Sequence, residues 1–168
     1  MSHDPFIAPT ASVSAEARLA ADTSVFYRAR LSGPVVLEEQ VNVQDNAVVE
    51  GTPEHPVRIG RRTSLGHNAR VLGATIEEAC LIAIAATVQP GAHIGSHSII
   101  AANATVPEGM HVPPKSLVIG QGRILRPVRE DEIARIERGA DEYVRLGREH
   151  LRTLRGLEVE QTRGRGPL

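Results

Sequence analysis

The chain has 168 residues, 41% apolar and 23% charged, which is enough for one domain with its own core. A formal net charge of −1 gives no electrostatic reason to expect nucleic acid or an anionic membrane as partner, and no apolar run is long enough to span a bilayer. Two Phe, two Tyr and no Trp make any core aliphatic and narrow.

In chain order, MSHDPFIAPT lacks the basic and apolar segments of a secretory signal, so the chain is expected in the cytoplasm. Residues 1–24 read as an N-terminal arm and residues 25–127 as one repeating body. There Leu31, Leu37, Val43 and Val49 fall six apart, then GTPEHP at Gly51 to Pro56 interrupts the count, and Ile59, Leu65 and Val71 resume it. After a step of five to Ile76, the spacing of six holds through Ile82, Val88, Ile94, Ile100, Val106, Val112 and Val118. A period of six fits neither an isolated helix nor an isolated strand. Small residues four places on, such as Thr63, Ala69, Ala86, Ala92, Ser98 and Ala104, mark tight bends around a packed interior. The pattern predicts an all-β solenoid, a left-handed parallel β-helix, with GTPEHP expelled as a loop. Cys80 is the single cysteine, and at a corner of such a coil it reads as a small buried thiol rather than a nucleophile.

From residue 128 to 156 the period changes. Ile133, Ile136, Ala140, Val144, Gly147, Leu151 and Leu154 fall on one face of a helix whose first turn carries Glu130, Asp131 and Glu132, acidic residues favoured there by the helix dipole. Such a helix covers apolar surface along a prism face or a subunit seam, with Gly139 and Gly147 each weakening it by about 1 kcal/mol. Residues 157–168, ending QTRGRGPL, read as a disordered, solvated tail.

The segments VNVQDNAVVEG, IGRRTSLGHNARVLGATI and VPPKSLVIGQGRILRPV, followed by a helix holding Tyr143 and Val144, resemble the γ-class carbonic anhydrase family over roughly residues 25 to 150. The resemblance implies a homotrimer with sites at the seams between prisms, where a metal ion is held by two His of one subunit and one of its neighbour. The position of the family's first metal His is Glu50 here, and in GHNARVLG the second is kept as His67 while the third is Leu72. A catalytic zinc needs three protein ligands and a water, so no bound metal and no other cofactor is expected. The family's Arg-Gly-Asp is replaced by Ala29, Arg30 and Leu31, with Arg28 or Arg30 the available cations. Gln44 and Asp45 are retained beside Asn68 of the GHNA turn, and Glu54 stands where some relatives carry an acidic proton shuttle.

Four functions follow from these residues. His67 and Glu50 can form a metal-free acid–base pair at the seam for a small organic substrate, with Gln44, Asp45, Asn68, Leu72, Arg30 and Glu54 around it. An acyltransferase using a CoA or carrier-protein thioester is the second, and a non-catalytic trimeric scaffold the third. The fourth is a rebuilt metal site that adds His93, His97 or His111 to His67 and Glu50. None of them calls for nucleic acid or a membrane.

Overall fold

The computed structural model describes residues 4–163, with side chains described through Leu157. The chain winds as six triangular turns of short parallel strands. The first turn is β1 (Phe6–Ile7), β2 (Ser12–Val13) and β3 (Arg18–Leu19); the second is β4 (Ser24–Val25), β5 (Arg30–Ser32) and β6 (Val35–Leu37). The third is β7 (Asn42–Val43), β8 (Val48–Glu50) and β9 (Val57–Ile59); the fourth is β10 (Ser64–Leu65), β11 (Arg70–Leu72) and β12 (Thr75–Ile76). The fifth is β13 (Leu81–Ile82), β14 (Thr87–Val88) and β15 (His93–Ile94); the sixth is β16 (Ile99–Ile100), β17 (Thr105–Val106) and β18 (His111–Val112). After β19 (Ser116–Ile119), the antiparallel β20 (Arg123–Pro127) folds back, and α1 (Glu130–Arg163) ends the chain.

Stacking these turns gives a left-handed prism with three flat sheets. Sheet A takes β1, β4, β7, β10, β13, β16, β19 and β20; sheet B takes β2, β5, β8, β11, β14 and β17; sheet C takes β3, β6, β9, β12, β15 and β18. The aliphatics spaced by six point inward and stack rung on rung into one core running from Val25 to Val118. Their flanking residues point outward, because successive strand side chains alternate between faces. Corners are tight because one residue in each takes a left-handed conformation: Arg28, Asn46, Asn68, Ala85 and Asn103 between sheets A and B, and Asp22, Gln40, Arg62, Ala79, His97 and Lys115 between C and A.

The coil starts at Phe6, inside the stretch read from the sequence as an arm. Ile7, Val13, Leu19 and Val25 already keep the six-residue step, and Phe6 and Ala8 are buried. The helix likewise runs past residue 156 to Arg163, and residues 164–168 of the expected tail lie outside the described residues.

The helix lies along sheet A. Ile133 and Ile136 pack on the outward side chains Leu81, Ile99 and Leu117, and further along Tyr143, Leu146, Leu151 and Leu154 pack on Phe6 and Phe26. Gly147 has a local reason: a Cβ there would lie 3.2 Å from the Ser24 Cβ, so its absence lets the helix sit close to the sheet. The helix start is clamped by Glu132, whose carboxylate accepts from the Arg129 N–H at 2.9 Å and from both Arg126 Nη1 and Nη2 at 2.8 Å. These bonds, Arg126 first, hold the Glu132 carboxyl down to about 2. Among the described residues no helix is long and apolar enough to cross a membrane.

Candidate functional site

Sheet B carries no helix, and its outward side chains form two ladders across β5, β8 and β11. Arg30, Val48 and Arg70 are register partners in one, and Ser32, Glu50 and Leu72 in the other. Glu50 and Leu72 therefore stand side by side, one rung spacing of about 4.8 Å apart. They open on a cavity of about 270 Å³ whose wall also includes Thr52, His55 and Arg70.

The GTPEHP insertion leaves the coil as an exposed loop, as expected, and its Thr52 and His55 form part of the cavity wall. The Thr52 N–H donates to the His55 carbonyl at 2.9 Å, and the His55 N–H donates to Thr52 Oγ1 at 3.1 Å, which closes the loop on itself. His55 then lies across the corner between sheets B and C. A Cβ on Gly73 would come within 2.5 Å of the His55 Cβ, and one on Gly91 within 3.8 Å of its Cε1. Gly73 and Gly91 have φ of +52° and +71°, so they serve both the corner and the docked imidazole.

The other residues singled out in the sequence are spread over the prism. His67 sits half-buried on the corner between sheets A and B, in line with Asp45 on one rung and Ile84 on the other. Its carbonyl accepts from Ala85 N–H at 2.9 Å, and the Asn68 N–H donates to the Asp45 carbonyl at 3.0 Å. The cavity holding Glu50 does not include it, so one chain does not bring His67 and Glu50 together. Asp45 is spent on the corner itself, its Oδ1 accepting from the Tyr27 N–H at 3.1 Å. Gln44 is buried: it donates to Asn42 Oδ1 at 3.1 Å, while Asn42 donates to Ser64 Oγ at 2.7 Å, a polar ladder on the face that α1 covers. Arg30 is exposed on the sheet that carries Glu50, and Glu54 is exposed in the loop without lining the cavity.

The three histidines proposed as extra ligands occupy other faces. His93 and His111 are partners on sheet C, their rings stacked at 4.8 Å, and His97 is on the corner between C and A. His93 Nε2 lies 2.8 Å from Glu77 Oε1 and the Ser96 N–H donates to Glu77 Oε2 at 2.8 Å, so hydrogen bonds from His93 and then Ser96 lower the Glu77 carboxyl. Cys80 is fully buried, and desolvation pushes its thiol up to about 12, which leaves it no thiolate character at neutral pH.

The donor set on one chain is poor for a metal. Glu50 and His55 are the two ionisable oxygen or nitrogen donors other than Arg on the cavity wall, and the branched alkyl group of Leu72 stands beside them. Among the described residues no group of three or more His, Cys, Asp or Glu is placed to hold a metal ion. A three-imidazole site does not fit these side chains, while an anion or carboxylic acid fits Arg70 beside His55.

Sequence reasoning missed His55 and Arg70. Arg70 was within reach, because it immediately precedes the inward Val71 and so must point out beside Glu50's strand. Nothing in the six-residue spacing shows that His55 docks.

The geometry defines a hexapeptide-repeat β-helix, and residues 73–108 match the family described as bacterial transferase hexapeptide (six repeats). A carbonic anhydrase of Geobacillus kaustophilus is 35% identical over 146 residues, covering 84% of this chain and 80% of that protein. A probable carbonic anhydrase of Methanocaldococcus jannaschii is 39% identical over 128 residues, covering 74% and 80%. The chain belongs to the γ-class carbonic anhydrase-like family of left-handed β-helix proteins. It is also 31% identical to gamma carbonic anhydrase 1, mitochondrial, of Arabidopsis thaliana, spanning 88% of this chain and 57% of that protein's length. Among solved structures, PerB of Caulobacter crescentus, in complex with CoA and GDP-perosamine, superposes with a TM-score of 0.69 at 26% identity over 74% of this chain and 58% of that one.

Proposed function

We propose that this protein is a homotrimeric, cytoplasmic member of the γ-carbonic anhydrase family whose seam site carries out metal-independent proton transfer on a small organic acid. The observation that supports this most is the register pairing of Glu50 with Leu72 in a cavity shared with His55 and Arg70, at two positions where the family resemblance calls for imidazoles. Arg70 supplies a fixed cation for the substrate carboxylate, and Leu72 an apolar wall for its carbon skeleton. Glu50 takes a proton from carbon, and an imidazole returns one, the arithmetic of an isomerisation or elimination. His67 joins Glu50 only across a seam, contributed by the neighbouring prism.

The corner bearing His67 supports such a seam. Tyr27 and Ile84 flank its ridge with 38% and 52% of their surface exposed, although both are large and apolar in body. Burying that ridge against a second prism would put the imidazole at the mouth of a neighbour's sheet B.

The test has two arms. Native mass spectrometry is expected to give a trimer, and plasma mass spectrometry after loading with zinc, iron or cobalt well under one tightly held ion per subunit. Roughly one ion per subunit would overturn the metal-free mechanism and restore hydration chemistry. In a screen of small carboxylates, a ligand that raises the melting temperature of the parent but not of Arg70→Ala supports the site. Turnover should be abolished by Glu50→Gln or His67→Ala with the trimer intact. Saturable CoA binding in the same screen would favour acyl transfer, as the likeness to PerB allows.

A further inference from the structure

The helix has a second exposed side, over the corner between sheets C and A. Arg145, Arg148, Arg152 and Arg155 fall at steps of three, four and three, which places them along one stripe of α1 about 15 Å long. They line a cavity of about 570 Å³ floored by Val144 and Leu151, with Gln40 contributed by the corner and Asp141 as the single acidic wall residue. A cavity of this size takes a small molecule rather than a flat protein surface. Arg148, Arg155 and Arg145 have carboxylate partners and Asp141 is itself paired with Arg62, so the excess positive charge of the groove rests on Arg152, with the exposed Arg145 able to turn inward from Glu149.

The four arginines are not equally committed. Arg148 is fixed by a fork to Asp22, with Nε and Nη2 donating to Oδ1 and Oδ2 at 2.9 Å each, which leaves Nη1 for another acceptor. Arg155 is tied to Asp4 at 2.6 Å at the far end of the stripe. Arg145 has only an exposed helix-surface contact to Glu149 at 3.3 Å, worth little in water. Arg152 forms no ion pair or hydrogen bond among the described residues. The cavity thus offers one pre-oriented guanidinium with an uncommitted Arg one turn to one side and another nearly two turns from the first, a spacing suited to two adjoining tetrahedral anions with several acceptor oxygens.

We propose that this groove binds the diphosphate group of a small molecule, with Arg145 and Arg152 closing on it from either side of Arg148. The apolar floor of Val144 and Leu151 receives whatever organic group the diphosphate carries. The site is separate from the cavity of Glu50 and does not depend on the chemistry assigned there.

Calorimetric titration of the full chain with inorganic pyrophosphate, ADP and orthophosphate tests it, at low and at physiological salt. Pyrophosphate and ADP are expected to saturate, with orthophosphate weaker by about tenfold or more, since it satisfies fewer of the three guanidinium groups. Tighter ADP than pyrophosphate identifies an organic diphosphate as the ligand, and the reverse identifies the inorganic ion. Arg145→Ala and Arg152→Ala should each weaken binding about tenfold with an unchanged melting temperature, while Arg18→Ala on sheet C leaves it unaltered. No saturation by pyrophosphate, equal affinity for orthophosphate, or full affinity in the folded Arg145→Ala/Arg152→Ala double variant would overturn the proposal.

Discussion

Through their six shared turns, sheets A and B are built on the same inward ladder of aliphatics and differ in what points out. On sheet A the outward residues are Phe6, Ser24, Asn42, Ser64, Leu81, Ile99 and Leu117, apolar or small, and α1 covers them. On sheet B they include Arg30, Ser32, Val48, Glu50, Arg70, Leu72 and Thr87, and no helix of the described chain covers them. A solenoid rung therefore separates its tasks by parity: the inward residue holds the fold, and the residue beside it decides whether a face is sealed or left for chemistry.

That separation can be broken at its strongest point first. Ile82→Ala removes a fully buried rung contact and should cost about 2–5 kcal/mol in urea unfolding. On the outward faces, Ile99→Ala beneath the helix should cost about 2 kcal/mol, whereas Leu72→Ala on bare sheet B should cost under about 1 kcal/mol. The difference should persist in the trimer, because Leu72 lines the open cavity of Glu50; equal losses would mean that a neighbouring prism packs directly on Leu72.

Acid separates the faces in another way. The Glu132 carboxyl is held at about 2 against an ordinary 4.5, so its contribution to stability is complete above 4.5 and is lost as pH falls toward 2. Thermal melts across that window should fall for the parent and fall less for Glu132→Gln, and helical signal should go before strand signal because the clamp anchors α1 to the end of sheet A. The smallest effect on the fold should come from Glu50→His combined with Leu72→His. These outward positions on neighbouring rungs should leave the melting temperature nearly unchanged while raising zinc content toward one ion per subunit, read by plasma mass spectrometry.

Most of this architecture was legible in the sequence. The hexads from Leu31 to Val118 gave the coil, its core and its corners, and the 3.6-residue spacing after residue 128 gave the helix. The first rungs keep the count at Ile7, Val13 and Leu19, but Ser, Glu and Arg between them dilute the apolar signal. The site was legible only in part. Glu50 and Leu72 could be placed as neighbours from the repeat, since they follow inward Val49 and Val71. His55 could not, because its position depends on an irregular loop closing over Gly73, and a loop carries no period. The separation of His67 from Glu50 within one chain follows from the corner that His67 occupies, and the family resemblance, which puts the two on neighbouring subunits, implies it as well.

The last rung has a property that bears on how the molecule ends. In the rung before it, the Gln89 N–H donates to the Val106 carbonyl at 3.1 Å and the Gly95 N–H to the Val112 carbonyl at 2.8 Å, the bonds that seat the sixth turn. Eighteen residues on, the equivalent positions are Pro107 and Pro113, which have no N–H to give, and β20 runs antiparallel across the end of sheet A. The prism thus withholds two of the donors that a stacked stranger would need and blocks its third edge. Its far end is a poor template for filament growth, so a protein made of bare strand edges can remain dispersed at high concentration.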